Sequence, residues 1–342
     1  MYVGNALITK IKTIHANDLR EDDYKELLKK NTISDITSYL KKHPAYSEIL
    51  QGIPESAVNR SRLESLIRRQ KFDQMMRVIK FLTTNDKSFY QLSLVHQEHN
   101  VLLAMIRSYI SNEVYDVVAD LPVYFDRYSK IDFNEIAKTT NLKGLVEALE
   151  GTKYQKMLKP YENIKNQDLK YYEFESLFEA DYYNYAFQHI ATNYKGRLKQ
   201  ELEDVFKSRI EMENMIKVYR LKKFYQVPDE EIRLMLVPST RILQKKLDEV
   251  IAIKDPNDIF TRIIEAGFGQ YIGDKDQAYL EYFGDHLRYH IAKKLMYYAS
   301  HPAKVYLGYM ILSELEVSNL THLIEGIRYQ VSPEEIRMMM VY

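Results

Sequence analysis

His286 and His290 lie four residues apart with Asp285 beside them, a spacing that lets two imidazoles share one helix face and hold a metal ion. A hydrolytic zinc site of that form needs a glutamate next to the first histidine, and Leu287 stands there instead. A di-iron site in a helical bundle is built from Glu-x-x-His motifs, and none of the nine histidines has a glutamate three positions before it. His96 and His99 flank Glu98, but Glu98 belongs to a repeated pattern and reads as structural. There is no Gly-x-x-x-x-Gly-Lys-Ser/Thr loop to cradle phosphates and no Gly-x-Ser-x-Gly elbow. Gly267-Phe268-Gly269-Gln270-Tyr271-Ile272-Gly273 approaches a dinucleotide fingerprint, yet Ile272 replaces its third glycine, and the segment reads as a helix-end turn. The expectation is no catalytic residue, no metal and no cofactor.

Acidic residues offer a different kind of chemistry. Glu64, Glu175 and Glu281 each follow an apolar residue at the start of a helical pattern, where a carboxylate meets the positive end of the helix dipole. Glu175 is followed one turn later by Glu179, and Glu281 by Asp285, on the same face. Capping and internal salt bridges are the favoured reading of these acids. The other reading makes Glu175, Glu179, Glu281 and Asp285 a charged surface that meets a partner protein.

The elements that carry these residues recur. Residues 225–237 (YQVPDEEIRLMLV) and 329–341 (YQVSPEEIRMMMV) are identical at nine of thirteen positions at an offset of 104. Three weaker landmarks reveal a further copy. An aliphatic–apolar–aromatic–aliphatic series runs Ile36, Leu40, Tyr46, Leu50; then Leu145, Leu149, Tyr154, Leu158; then Ile259, Ile263, Phe268, Ile272. The apolar–Glu pairs are Leu63-Glu64, Phe174-Glu175 and Leu280-Glu281. A Glu shortly precedes an Asn at Glu98 and Asn100, Glu211 and Asn214, Glu316 and Asn319, and these Asn residues lie 36, 39 and 38 positions after Glu64, Glu175 and Glu281. The repeated order predicts three related units, 1–115, 116–238 and 239–342, with joins in 116–130 and near Val237-Pro238-Ser239-Thr240.

Within the units the periodicity is helical. Leu198, Leu202, Val205, Met212, Ile216 and Tyr219 form one apolar stripe broken only by Arg209. Leu287, Ile291, Leu295 and Tyr298 form another, ended by Pro302. Ser332-Pro333-Glu334-Glu335 predicts a capping box. Gly and Pro together make 20 of 342 residues, few breakers for a sandwich or barrel. The absence of Cys excludes disulfides, iron–sulfur clusters and a thiol nucleophile. Lys+Arg and Asp+Glu balance at 48 each, which argues against a nucleic-acid binder. No run approaches 18 apolar residues, so a soluble intracellular all-α protein is expected.

The chain resembles the C-type central-stalk subunits of the V/A-type rotary ATPases, whose eukaryotic counterparts are the d-type subunits of the V-ATPases. The likeness runs over nearly the whole length, in size, triple repeat and local pattern. Leu145 to Leu158 (LVEALEGTKYQKML), Phe174 to Tyr183 (FESLFEADYY) and the ending from Glu314 (ELEVSNLTHLIEGIRYQVSPEEIR) carry it most strongly. The resemblance implies three helical units arranged as a pseudo-threefold funnel between the central shaft and the membrane proteolipid ring. The narrow side would rest on the ring and the opening would receive the shaft, with no nucleotide, small-molecule substrate or transported ion bound. Two other classes remain open: a helical repeat scaffold for a partner protein, and a helical enzyme assembled from distant residues.

Overall fold

Six long helices dominate the computed structural model, and they come in consecutive pairs. It describes residues 2–80, 82, 87–113, 115, 117, 125, 128–237, 244–263, 265 and 280–342. An N-terminal helix, α1 (Tyr2–His15), is followed by the pairs α2 (Arg60–Lys80) and α3 (Leu92–Ser111), α4 (Tyr171–Asn193) and α5 (Gly196–Lys223), and α6 (Leu280–Tyr298) and α7 (Pro302–Arg328). The fold is all-α: 76% of the described residues are helical, and no strand occurs among them. Each predicted unit contributes one pair, and the pair opens on the apolar–Glu landmark.

The ends of the helices follow from local chemistry. Pro302 sits at the first position of α7, where its missing N–H costs nothing, and His301 Nδ1 caps Ala303 N at 3.2 Å. Beyond the second helix of every pair a non-glycine residue turns left-handed: Asn112 (φ 54°), Gln226 (φ 51°) and Gln330 (φ 54°). That conformation costs a side chain roughly 1–2 kcal/mol, so the tertiary structure must hold it in place. The expected capping box is present, with Ser332 accepting from Glu335 N and the Glu335 carboxylate accepting from Ser332 N.

The three connections between paired helices converge. Phe89 lies 5.3 Å from Tyr194 between ring centroids, Tyr194 lies 5.8 Å from His301, and Tyr90 lies 4.9 Å from Tyr306. The Tyr306 hydroxyl donates to the Tyr90 carbonyl at 2.6 Å. Phe89, Tyr90, Tyr194 and Tyr306 are all buried, so one aromatic cluster ties together the turn ends of all three pairs.

Between the pairs lie blocks of short helices that follow one rule. Ile36, Leu40, Tyr46 and Leu50 pack with Leu63 and Ile67 of α2 and with Leu320 and Leu323 of α7. Leu145, Leu149, Tyr154 and Leu158 pack with Phe174 of α4 and with Val101 and Leu102 of α3. Val250, Ile251 and Ile259 pack with Phe283 of α6 and with Met215 and Val218 of α5. Each block thus bridges the first long helix of its own unit and the second long helix of the unit before it, with unit 3 preceding unit 1.

Two sequence readings change. Tyr298, expected on the α6 stripe, is 84% exposed, because the helix runs past the core before Pro302 begins the next one. The α5 stripe serves two surroundings: Leu202 is buried in the core, whereas Val205 and Ile216 face a cavity that also takes Arg209, with the buried Met212 on its wall. Ile263's side chain, Phe268, Ile272 and the Gly267–Gly273 segment lie outside the described residues, as does most of each expected join.

Candidate partner-binding cavity

A cavity of about 360 Å³ lies among the long helices, lined from α3, α4, α5, α6 and Ile311 of α7. Three helix pairs therefore contribute to one space. Its lining alternates apolar side chains with charge, as expected where helix stripes meet a polar interior. Gly284 lets α6 approach α5 there, since a Cβ would lie 3.1 Å from Ile216 Cδ1.

The charges form a linked network. Arg209 Nε donates to Glu213 Oε1 at 2.7 Å, and the Tyr183 hydroxyl donates to the other oxygen of the same carboxylate. Against the cost of burial, Arg209 and Tyr183 hold Glu213 down to about 2. Lys217 pairs with Glu179 and also donates to Ser176 Oγ at 3.3 Å. Burial pushes Glu179 up to about 7; Lys217 opposes the rise and the neighbouring Glu213 carboxylate adds to it. Arg288 binds Asp285 at 3.0 Å and also Glu314, while Arg209 approaches Glu314 at 3.7 Å. Burial depresses His96, so its imidazole stays neutral at pH 7 despite Glu314 nearby. Five charged groups, Arg209, Glu213, Glu314, Arg288 and Asp285, thus link α5, α6 and α7.

The structure brings Glu175, Glu179 and Asp285 together on the wall of this cavity. The side chain of Glu281 lies outside the described residues. Glu179 and Asp285 carry the internal salt bridges that the favoured reading anticipated. Glu175 is half-buried and has no hydrogen bond or ion pair among the described residues. Glu64 meets Arg60 at 2.9 Å and Arg68 at 3.7 Å and is structural.

The histidines have other employment. His99 Nε2 contacts Asp181 at 2.9 Å and its ring packs on Phe178. Glu98 accepts from Ser129 at 2.5 Å and Tyr154 at 2.6 Å. Asp285 is taken by Arg288, and His290 is exposed. Among the described residues no three His, Asp or Glu side chains are grouped to hold a metal ion. No helix among them is long and apolar enough to cross a membrane.

The family model described as ATP synthase (C/AC39) subunit matches residues 7–339. The chain belongs to the C/AC39 family of V/A-type ATPase subunits. No curated protein matches it. The match spans all three helix pairs and every residue that lines the cavity.

Sequence reasoning missed Arg209, Lys217 and Arg288 as cavity residues, and Glu314 as the partner of two of them. The signal for the first was present: a charged residue interrupting an otherwise apolar stripe marks where that stripe leaves the core. Nothing local marks Lys217 or Glu314, whose partners are 38 and 26 residues away on other helices.

Proposed function

We propose that the chain is the non-catalytic coupling socket of a V/A-type ATPase, linking the rotating shaft to the membrane proteolipid ring during ATP-coupled ion transport. The carrying observation is the cavity lined by all three units, with the helix turns gathered at one end by Phe89, Tyr90, Tyr194 and Tyr306. At the other end Glu175, Gly284 and Arg220 line the cavity within about one turn of where α4 and α6 begin and α5 ends. At one end the helix turns are held together by rings; the other presents charge. The first suits the ring side and the second the shaft.

The packing rule supports three units, 1–115, 116–238 and 239–342, closing as a pseudo-threefold funnel. The contact of the first short-helix block with α7 argues against an open superhelical scaffold, whose ends would not meet. Such a socket binds neither nucleotide nor ion. It sits in the cytoplasm and attaches to the membrane only through the complex. Its contacts must resist torque: one charge crossing ~100 mV carries about 2.3 kcal/mol, so interfaces of at least standard size are needed.

The test is direct binding. The purified protein should bind the isolated shaft subunits without nucleotide, and the detergent-extracted ring in a separate assay. A protein that ignores both overturns the proposal.

A further inference from the structure

The nine identities shared by 225–237 and 329–341 divide between the inside and the outside of the fold. Four are apolar and buried or half-buried in both copies: Val227 and Val331, Ile232 and Ile336, Met235 and Met339, Val237 and Val341. The other five are exposed in both: Tyr225 and Tyr329, Gln226 and Gln330, Glu230 and Glu334, Glu231 and Glu335, Arg233 and Arg337. Tyr225 is 53% and Tyr329 67% exposed, high for so large an apolar ring.

Folding accounts for Gln226 and Gln330, which turn left-handed alike, but not for the other four pairs, because the two copies use them differently. Arg233 pairs with Asp248 at 2.9 Å, whereas Arg337 pairs with Glu334 at 2.6 Å. Glu335 completes a capping box with Ser332, while the matched cap position holds Pro228, which makes no side-chain cap. The Tyr225 ring lies 5.7 Å from Tyr172, and the Tyr329 ring lies beneath Arg328 at 5.1 Å. Elsewhere the units have diverged until only scattered landmarks remain, buried positions included. Identical exposed side chains with non-identical neighbours point to one constraint outside the fold that touches both copies.

Both segments follow the second long helix of their unit, at the end away from the converging turns, and Arg220, just before the first of them, lines the cavity. Unit 1 turns left-handed at Asn112 as the others do at Gln226 and Gln330, but Ser111 precedes it in place of a tyrosine. Two of the three places just past a second long helix therefore carry the same patch: a broad ring with a hydrogen-bonding tip and two adjacent exposed carboxylates. That chemistry suits a helical segment bearing Lys or Arg beside an apolar side chain.

We propose that Tyr225 with Glu230 and Glu231, and Tyr329 with Glu334 and Glu335, are twin docking patches for the end of the central shaft, which is thereby held by two units out of three. This rests on the coupling-socket reading and adds where, and how unevenly, the shaft is held.

The experiment measures affinity of the full-length protein for the isolated shaft subunits and, separately, for the detergent-extracted ring. Tyr225→Ala and Tyr329→Ala should each weaken shaft binding by about tenfold and together by about a hundredfold. Ring binding should not change. Both tyrosines are exposed, so thermal melting and circular dichroism should stay as in the wild type. Changing Glu230, Glu231, Glu334 and Glu335 to Gln should flatten the salt dependence of shaft binding. A doubly substituted protein that binds the shaft as the wild type does overturns the twin patches and leaves the socket standing. A loss of ring binding with shaft binding intact also overturns them, since the patches would then face the membrane side. A wild-type protein that binds neither partner overturns the socket itself.

Discussion

The Tyr46 hydroxyl donates to Glu316 Oε1 at 2.7 Å, joining two buried residues 270 positions apart. Tyr154 donates to Glu98 Oε2 at 2.6 Å in the same way. In each case the landmark aromatic of one unit meets the landmark glutamate of the unit before it. Lys71 adds a second bond to Glu316 at 2.7 Å and one to Asp18 at 2.6 Å, so the first and last units share a buried ion cluster. Related bonds between units hold the middle and the two ends of the chain in one pattern.

Tyr46→Phe and Tyr154→Phe should therefore each destabilise the protein by about 1.5–3 kcal/mol, because each removes a buried hydrogen bond to a carboxylate and leaves the shape intact. Tyr39→Phe should cost less, since Tyr39 is only half-buried where it donates to Asp23 at 2.7 Å. Chemical denaturation midpoints rank the three. Equal costs would mean that the inter-unit bonds hold nothing special.

Leu149 is fully buried among Val146, Tyr154 and Leu158, so Leu149→Ala should cost about 2–5 kcal/mol. A denaturation midpoint unchanged by that substitution would show that the landmark series is not core.

The carboxyl pair in the cavity sets a pH dependence of known sign. Glu179 rises from an ordinary 4.5 to about 7 in the folded protein. Between those values the folded state keeps a proton that the unfolded state has released, so this contribution to stability declines as pH rises from 4.5 to 7. Glu213, held at about 2, acts oppositely: its contribution is present above 4.5 and disappears as pH falls towards 2. Glu179→Gln removes the first effect alone. The difference in denaturation midpoint between variant and wild type should change between about pH 4.5 and pH 7, and a constant difference counts against the shift.

The fold class was legible in the sequence because helix periodicity and scarce Gly and Pro are local properties. The repeat landmarks carried structural information too: Tyr46 and Tyr154 are buried core aromatics, the apolar–Glu pairs lie in the first turns of long helices, and Glu98, Glu211 and Glu316 are buried. Asn214 and Asn319 stood out as landmarks, but their role is legible only in the structure. Each clamps a distant backbone through both its oxygen and its nitrogen, to Val237 at 3.0 and 2.7 Å and to Val341 at 2.9 and 2.7 Å. Nothing in an Asn's spacing says which backbone it will reach. The cavity was half legible: three of its acids stood out by position, while Arg209, Lys217 and Arg288 became cavity residues only when separate helices met.

Those cations decide which acid tests the docking function. Glu179 and Asp285 are matched by Lys217 and Arg288, so reversing either to Lys would set like charges together in a partly buried space and lower stability before any contact with a partner is tested. Glu175 lines the same cavity, half-buried near the start of α4, with no hydrogen bond or ion pair among the described residues. Glu175→Lys should therefore leave melting and circular dichroism close to the wild type. If acids on this wall meet a basic surface of the shaft, shaft affinity should fall by about tenfold at low salt, and the loss should shrink as salt screens the charge. In the reconstituted complex, ATP hydrolysis by the catalytic head should continue while ion transport per ATP declines. Unaltered shaft affinity and full coupling in a folded, assembled Glu175→Lys enzyme would remove the cavity acids from the contact, and the exposed tyrosine patches would then carry the docking alone.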